Sequence, residues 1–205
     1  MLTSCTSSTS WTCDGNCQDG IGKKNWKDGG IDSGKWKSGN QEGKGKQVFG
    51  STSQFSGDIY EGELKEGLYH GFGVYRDVSE NNFYTGEFKS GDPHGYGKLV
   101  FNENSKHPTK YYDGYWKKGL YDSLGTLFWG QNGKYAHDKY FGQWSSGQMH
   151  GYGKYFWANG DKYEGPWFKN KQHGDGLYIF KNGDTIKGHW DNGYCQELAK
   201  RRGLE

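Results

Sequence analysis

Two short alternations of large apolar against small or polar positions recur along the chain. In residues 139–160, Tyr140, Gly142 and Trp144 occupy every second position. They therefore share one face of an extended strand, and Phe141 and Gln143 point the other way. After a polar stretch, Ser145–His150, the alternation resumes. Gly151, Gly153, Tyr155 and Trp157 now oppose Tyr152, Lys154 and Phe156. A period of two on both sides of a glycine-bearing turn predicts a β-hairpin, and Asn159-Gly160 predicts the turn into the next one. Residues 161–183 repeat the pattern with Tyr163, Gly165 and Trp167, then Gly174 and Gly176.

The same unit can be followed through most of the chain. Its first strand starts at Asp32, Tyr60, Tyr84, Tyr112, Tyr140, Tyr163 and Ile186, and a divergent copy lies near Trp11. Self-similarity at this spacing marks a repeat protein, in which each hairpin is covered by its neighbours. Glycine ordinarily weakens a strand, so its recurrence needs a cause. A bare glycine leaves room for an aromatic ring to lie flat over the backbone. Gly62, Gly86, Gly142 and Gly165 in first strands are assigned that structural role. So are Gly71 with Gly73, Gly95 with Gly97, Gly151 with Gly153, and Gly174 with Gly176 in second strands.

The longer repeats carry extra residues at Gly50–Gly57, Asn102–Lys110 and Gly130–Asp138, all between a second strand and the next start. They fall on one edge of the array, either as a decorated binding edge or as tolerated surface loops. Residues 1–19 form a divergent segment with a partial first repeat, 20–195 the array, and 196–205 a cap or tail. The tail, Gln196–Glu205, is rich in helix formers with basic residues late, which predicts a short capping helix. Cys5, Cys13 and Cys17 are too few for a structural zinc site. Free thiols are expected, because a disulfide does not suit a reducing compartment.

Composition changes this picture in one respect. A mean hydropathy of −1.08 would suit a disordered chain. The 36 glycines and 36 aromatic residues among 205 hold a fixed spacing instead. The net charge of +2, with both signs dispersed, gives no nucleic-acid footprint. No apolar run is long enough for a membrane-spanning helix, and no apolar leader opens the sequence. A cytoplasmic location is the resulting expectation.

Tyr60-Glu-Gly-Glu-Leu64, His70-Gly-Phe-Gly73 and the run Asn159–Trp167 closely resemble the MORN repeat. The resemblance covers about residues 20–195. It implies an all-β fold: an elongated single-layer antiparallel sheet of consecutive hairpins. Its aromatic residues would line a groove-like face. Tyr60, Tyr84, Phe88, Tyr112, Trp116, Tyr140, Trp144, Tyr163, Trp167 and Trp190 are the partner-binding groove on that reading. The departures are Asp32 and Ile186 for Tyr, Leu64 for Trp, and Ser123 and Asn170 for Gly.

The chemistry expected is that of contact. His70, His94, His150 and His173 each precede the first glycine of a second strand. Successive copies about 10 Å apart cannot converge on one metal ion, so turn-capping residues are expected there. The Gly-x-Gly pairs lack the following helix that a phosphate loop needs. No carboxylate pair is placed for acid–base catalysis. A non-catalytic scaffold without cofactor is the reading. It would bind a helix or extended segment of another protein in the groove, or a second copy of itself. Arrays of this kind resemble cytoskeletal and ciliary components, which implies the axoneme of a cilium or flagellum, for example a radial spoke. Related arrays in junctophilins and phosphoinositide kinases imply a membrane-lipid alternative. It would draw on Lys23, Lys24, Lys27, Lys35, Lys37, Lys44 and Lys46. Arrays joined to SET-domain methyltransferases imply a third reading, a targeting subunit for an enzyme on another chain.

Overall fold

A computed structural model describes residues 11–102, 109–131 and 133–204. It divides into two units, Met1–Gly91 and Asp92–Glu205. The first holds β1 (Trp11–Gly15), β2 (Gly20–Trp26), β3 (Ile31–Lys37), β4 (Asn40–Val48), β5 (Ile59–Lys65), β6 (Leu68–Asp77) and β7 (Asn82–Lys89). The second holds β8 (Asp92–Val100), β9 (Thr109–Lys117), β10 (Leu120–Trp129), β11 (Lys139–Ser145), β12 (Gln148–Phe156) and β13 (Lys162–Phe168). It continues with β14 (Lys171–Gln172), β15 (Gly174–Ile179), β16 (Thr185–Trp190) and the helix α1 (Gln196–Arg201). Within each unit the strands pair antiparallel with their neighbours in sequence, and β13 pairs with both β14 and β15. The all-β hairpin architecture and the short C-terminal helix agree with the alternation and with the composition of the tail.

The turn inside each repeat is tighter than the polar stretch Ser145–His150 suggests. Ser145 pairs with Gln148, leaving only Ser146 and Gly147 between the strands. Both have positive φ, 50° and 78°, as a two-residue hairpin turn matched to strand twist requires. Gln148, Met149 and His150 already belong to β12. Their accommodation needs a bulge: Gly142 faces Gly153, but Trp144 faces Met149. Gly151, at φ 60°, sits in this irregularity.

Ser123 holds the same place in β10 at φ 56°, where a side chain is strained by about 1 kcal/mol. Ser123→Gly is therefore expected to stabilise the second unit by about 0.5–1 kcal/mol. Urea unfolding should show the midpoint rising, and Ser123→Ala giving no such rise.

The histidines stand in or beside strands rather than at turn tips. His150 lies in β12 with its ring 5.4 Å from that of Phe168. His173 Nδ1 lies 3.6 Å from Asp191 Oδ1. The tip is already closed by two residues, which leaves the position before the glycine to the bulge.

Among the described residues the cysteines differ from expectation as well. Cys13 and Cys17 are joined in a disulfide across the β1–β2 connection, and Cys195 is a buried free thiol. The bridge is possible because the chain doubles back between the two residues. The turn is set by Asn16, whose Oδ1 accepts the N–H groups of Gln18 and Asp19. Cys5 lies outside the described residues.

Candidate interaction surfaces

All ten aromatic residues assigned to the groove are buried, none more than 6% exposed. Their environment follows from the glycines. The Tyr140 ring lies over Gly142 of its own strand and over Gly153 of the paired strand. A methyl group added at Gly142 would come 2.5 Å from Tyr140 Oη, and one at Gly153 would come 2.3 Å from it. Tyr60 covers Gly62 and Gly73, Tyr112 covers Gly114 and Gly125, and Tyr163 covers Gly165 and Gly176 in the same way. The ring thus rests on its own hairpin.

Each phenol then closes onto its own strand, donating to the carbonyl three residues on. Tyr60 bonds Glu63 O at 2.6 Å, Tyr84 Glu87 O at 2.9 Å, Tyr112 Tyr115 O at 2.9 Å, Tyr140 Gln143 O at 2.9 Å and Tyr163 Pro166 O at 3.1 Å. Burial pushes these phenols well above their ordinary pKa, so they stay protonated and keep donating.

The tryptophans tie one hairpin to the one before. Trp36 Nε1 donates to Gly22 O, Trp116 to Gly97 O, Trp144 to Gly125 O and Trp167 to Gly153 O, at 2.9–3.3 Å. Leu64 and Phe88, in the tryptophan position, have no N–H to give. At the end of the array the buried Trp190 Nε1 finds no acceptor among the described residues. Tyrosine and tryptophan rings meet edge to face, as Tyr140 does with Trp144 and Trp167 at 5.1 and 5.2 Å. The row is a packed aromatic layer whose surface the neighbouring residues already cover.

A second set of buried groups escaped the sequence reading. Asp58, Asp138 and Asp161 are only 5–6% exposed, and each precedes a repeat's tyrosine by two residues. Each carboxylate spans to the next inter-repeat turn. Asp138 Oδ2 accepts from Tyr155 Oη at 2.6 Å, and Oδ1 from the Ala158 N–H at 2.8 Å. Asp161 repeats this with Tyr178 and Lys181, and Asp58 with Tyr75 and Val78. The signal was present as Asp at one fixed repeat position, hidden because Asp at the end of a turn or insertion reads as an ordinary turn residue.

Burial would push the Asp161 carboxyl up. The hydrogen bonds from Tyr178, Lys181 and Asn159, with the Arg202 charge 3.7 Å away, outweigh it and hold the group below the usual carboxylate range.

The opposite face is where large side chains are open. In the second unit Tyr96, Tyr115, Leu124, Phe141 and Tyr152 are 43–54% exposed. Tyr96 and Tyr115 are cross-strand partners with ring centroids 5.5 Å apart. Tyr152 lies opposite Pro166, and Phe141 opposite Thr126 and Lys154. Ion pairs flank them, Lys98–Asp113 at 3.5 Å and Lys154–Glu164 at 3.0 Å. Lys139 and Lys162 place their ammonium groups 5.9 and 5.8 Å from the centre of the Phe156 ring. In the first unit this face has a shallow hollow that mixes charged and apolar groups, lined by Lys44, Lys46, Glu61, Glu63, Phe72 and Val74, with Phe72 56% exposed. Of the lysines in the N-terminal basic cluster, Lys24 turns inward, 4.7 Å from the Trp11 ring centre and 4.1 Å from that of Trp36. Lys46 approaches Glu61 to 3.9 Å. The cluster is thus divided between two environments.

Two of the insertions form built loops. Phe49 N–H bonds Asp58 O and Trp129 N–H bonds Asp138 O, both at 3.0 Å. Phe49–Phe55 and Trp129–Tyr135 ring pairs lie 5.7 and 5.8 Å apart inside them. Of the third insertion, residues 103–108 lie outside the described residues.

Comparison with known proteins adds three findings. The MORN repeat family model matches residues 33–54, 60–81, 84–106, 112–134, 140–162 and 163–185. Among solved structures the chain is similar to the TCP10c domain of Drosophila melanogaster Sas-4, at 14% sequence identity and a TM-score of 0.43. That likeness covers 88% of this chain and 99% of that one. No curated protein matches the chain. Six matches over the hairpins described above, taking in most of the residues, show that the chain belongs to the MORN-repeat family.

Proposed function

We propose that this chain is a non-catalytic scaffold that holds another protein against the outer face of its second unit. MORN repeats generally mediate protein or membrane-lipid contacts and are generally non-catalytic, which supports the broad class. The observation that carries the rest is the exposure of Tyr96, Tyr115, Leu124, Phe141 and Tyr152 on one sheet face. Tyrosine-rich patches ringed by charge have the composition of interface anchors. A partner meeting the inner row would have to unpack rings that are already covered. On the outer face it gains contact with no such cost. The occupant proposed is an amphipathic segment of another protein. Its apolar side chains would lie over these residues, with an acidic group toward Lys139 and Lys162.

A photo-crosslinking residue placed at Leu124, followed by sequencing of the captured peptide, tests this. An acidic amphipathic segment is expected. Replacing Tyr96, Tyr115, Phe141 and Tyr152 together by Ser should abolish capture and leave the unfolding midpoint within a few degrees of wild type. Capture of lipid, capture of a second copy, or full partner retention by that variant ends this reading.

A place in the cytoskeleton, and in the axoneme of a cilium or flagellum as a finer step, is part of the proposal. It rests on the resemblance of such arrays alone. A tagged chain in ciliated cells that never enters the axoneme would remove that step. The lipid alternative has less support, given a net charge of +2 and the divided lysine cluster, since surface attraction needs several clustered positives.

A further inference from the structure

The first hairpin has no tyrosine to lay over its glycines, and a sulfur stands in that place. Gly22 of β2 pairs with Gly15 of β1 on one side and with Gly34 of β3 on the other. A methyl group at Gly22 would lie 2.8 Å from Cys17 Sγ. Cys17 is 4% exposed, whereas its partner Cys13 is exposed on β1. The disulfide therefore does two jobs. It covers the bare glycine, and it ties β1 to the connection that precedes β2. Among the described residues β1 pairs only with β2. No ring of the repeat type holds it there.

We propose that Cys13 and Cys17 form a redox-sensitive site whose reduction by a dithiol releases β1 and opens the hydrogen-bonding edge of β2. The asymmetry of exposure sets the direction of the chemistry. A thiolate of the dithiol can reach Cys13 Sγ in line with the S–S bond, while Cys17 Sγ is screened by Gly22 and Asn16. Attack forms a mixed disulfide at Cys13, and Cys17 departs with the bonding electron pair and takes up a proton. The second thiol of the dithiol, as its thiolate, then attacks the dithiol's own sulfur in that mixed disulfide. Cys13 leaves in turn and is protonated. Two electrons and two protons end on the cysteines, and the reductant leaves as its disulfide. With Cys17 no longer held over Gly22, β1 keeps its few ladder hydrogen bonds, one exposed hydrogen bond from Asn25 Nδ2 to Asp14 Oδ2 at 2.8 Å and the Lys24 ammonium 4.7 Å from the Trp11 ring centre. A two-stranded contact of this length is marginal in water. The N–H and C=O groups of β2 that faced β1 then form an open edge, a template for strand pairing.

The test is made on the full chain in two measurements. In the first, oxidised protein is mixed with glutathione, a monothiol, quenched in acid and mapped. The glutathione adduct is expected on Cys13 in at least about tenfold excess over Cys17, following relative access. In the second, amide hydrogen exchange is compared with and without dithiothreitol. Exchange in β1 and β2 should rise by about tenfold or more on reduction, with β11–β13 unchanged. The Cys13→Ser/Cys17→Ser double variant should exchange like the reduced protein in both conditions. An adduct mainly on Cys17, equal exchange at β2 in both redox states, or alkylation of both Cys13 and Cys17 in air-oxidised protein would each overturn the proposal.

Discussion

Gly153→Ala is expected to destabilise the second unit by about 3 kcal/mol, a large effect for a single methyl group. The added carbon would lie 2.3–2.5 Å from Oη, Cε2 and Cζ of Tyr140. The ring has no free space to retreat into, being 0% exposed and set edge to face against Trp144 and Trp167. Tyr140→Ala is expected to cost about 3–5 kcal/mol by removing the ring and leaving its slot empty. Together the two changes should cost less than their sum by at least about 1.5 kcal/mol, because the methyl group then occupies part of the vacated space. Urea unfolding followed by tryptophan fluorescence measures all three. Strict additivity would mean that the ring and the glycine do not hold each other, and the account of the inner layer would fall with it.

Asp138→Ala is the second large effect, expected at about 2–4 kcal/mol. The carboxylate accepts from both Tyr155 Oη and the Ala158 N–H. Removing it strands two donors at a buried site and loosens the turn into the next repeat. Tyr155→Phe should cost about 1 kcal/mol, since it removes one bond and keeps the ring.

The equivalent Asp161 makes the same point through pH. Its pKa is depressed in the folded chain, so the folded state favours the ionised form over the unfolded state, where Asp titrates near about 3.9. The sign follows from linkage. The contribution is complete above the unfolded value and is lost as pH falls through the lower folded one. Between about pH 5 and pH 2, wild type should lose more stability than Asp161→Asn, read from urea midpoints at each pH. Parallel curves would show that Asp161 is not a net stabiliser as an anion.

The glycine and ring spacing was legible in the sequence because a period of two leaves few geometries for a ring beside a bare backbone. What sequence spacing does not carry is depth. Tyr140 and Tyr152 are both aromatic, both in strands and twelve residues apart, yet one is 0% and the other 54% exposed. The distinction comes from which face holds the glycines, and hence which rings can lie flat and be covered. The residues first read as a contact groove proved to be packed. Residues noted only as pointing the other way, Phe141 and Tyr152, proved to be open.

By itself the sequence determined the hairpin period, the role of the glycines and the short terminal helix. Each of these follows from local alternation, turn chemistry or helix propensity, which act between residues close in the chain. The tertiary structure alone decided three further matters. Asp58, Asp138 and Asp161 reach the next turn about 20 residues away. Cys17 covers Gly22 while bridged to Cys13. The second unit gathers Tyr96, Tyr115, Leu124, Phe141 and Tyr152 on its outer face, whereas the first sets Phe72 and Val74 among Lys44, Lys46, Glu61 and Glu63. These depend on which strands lie side by side and in what register, and one residue of slip would turn every side chain to the other face.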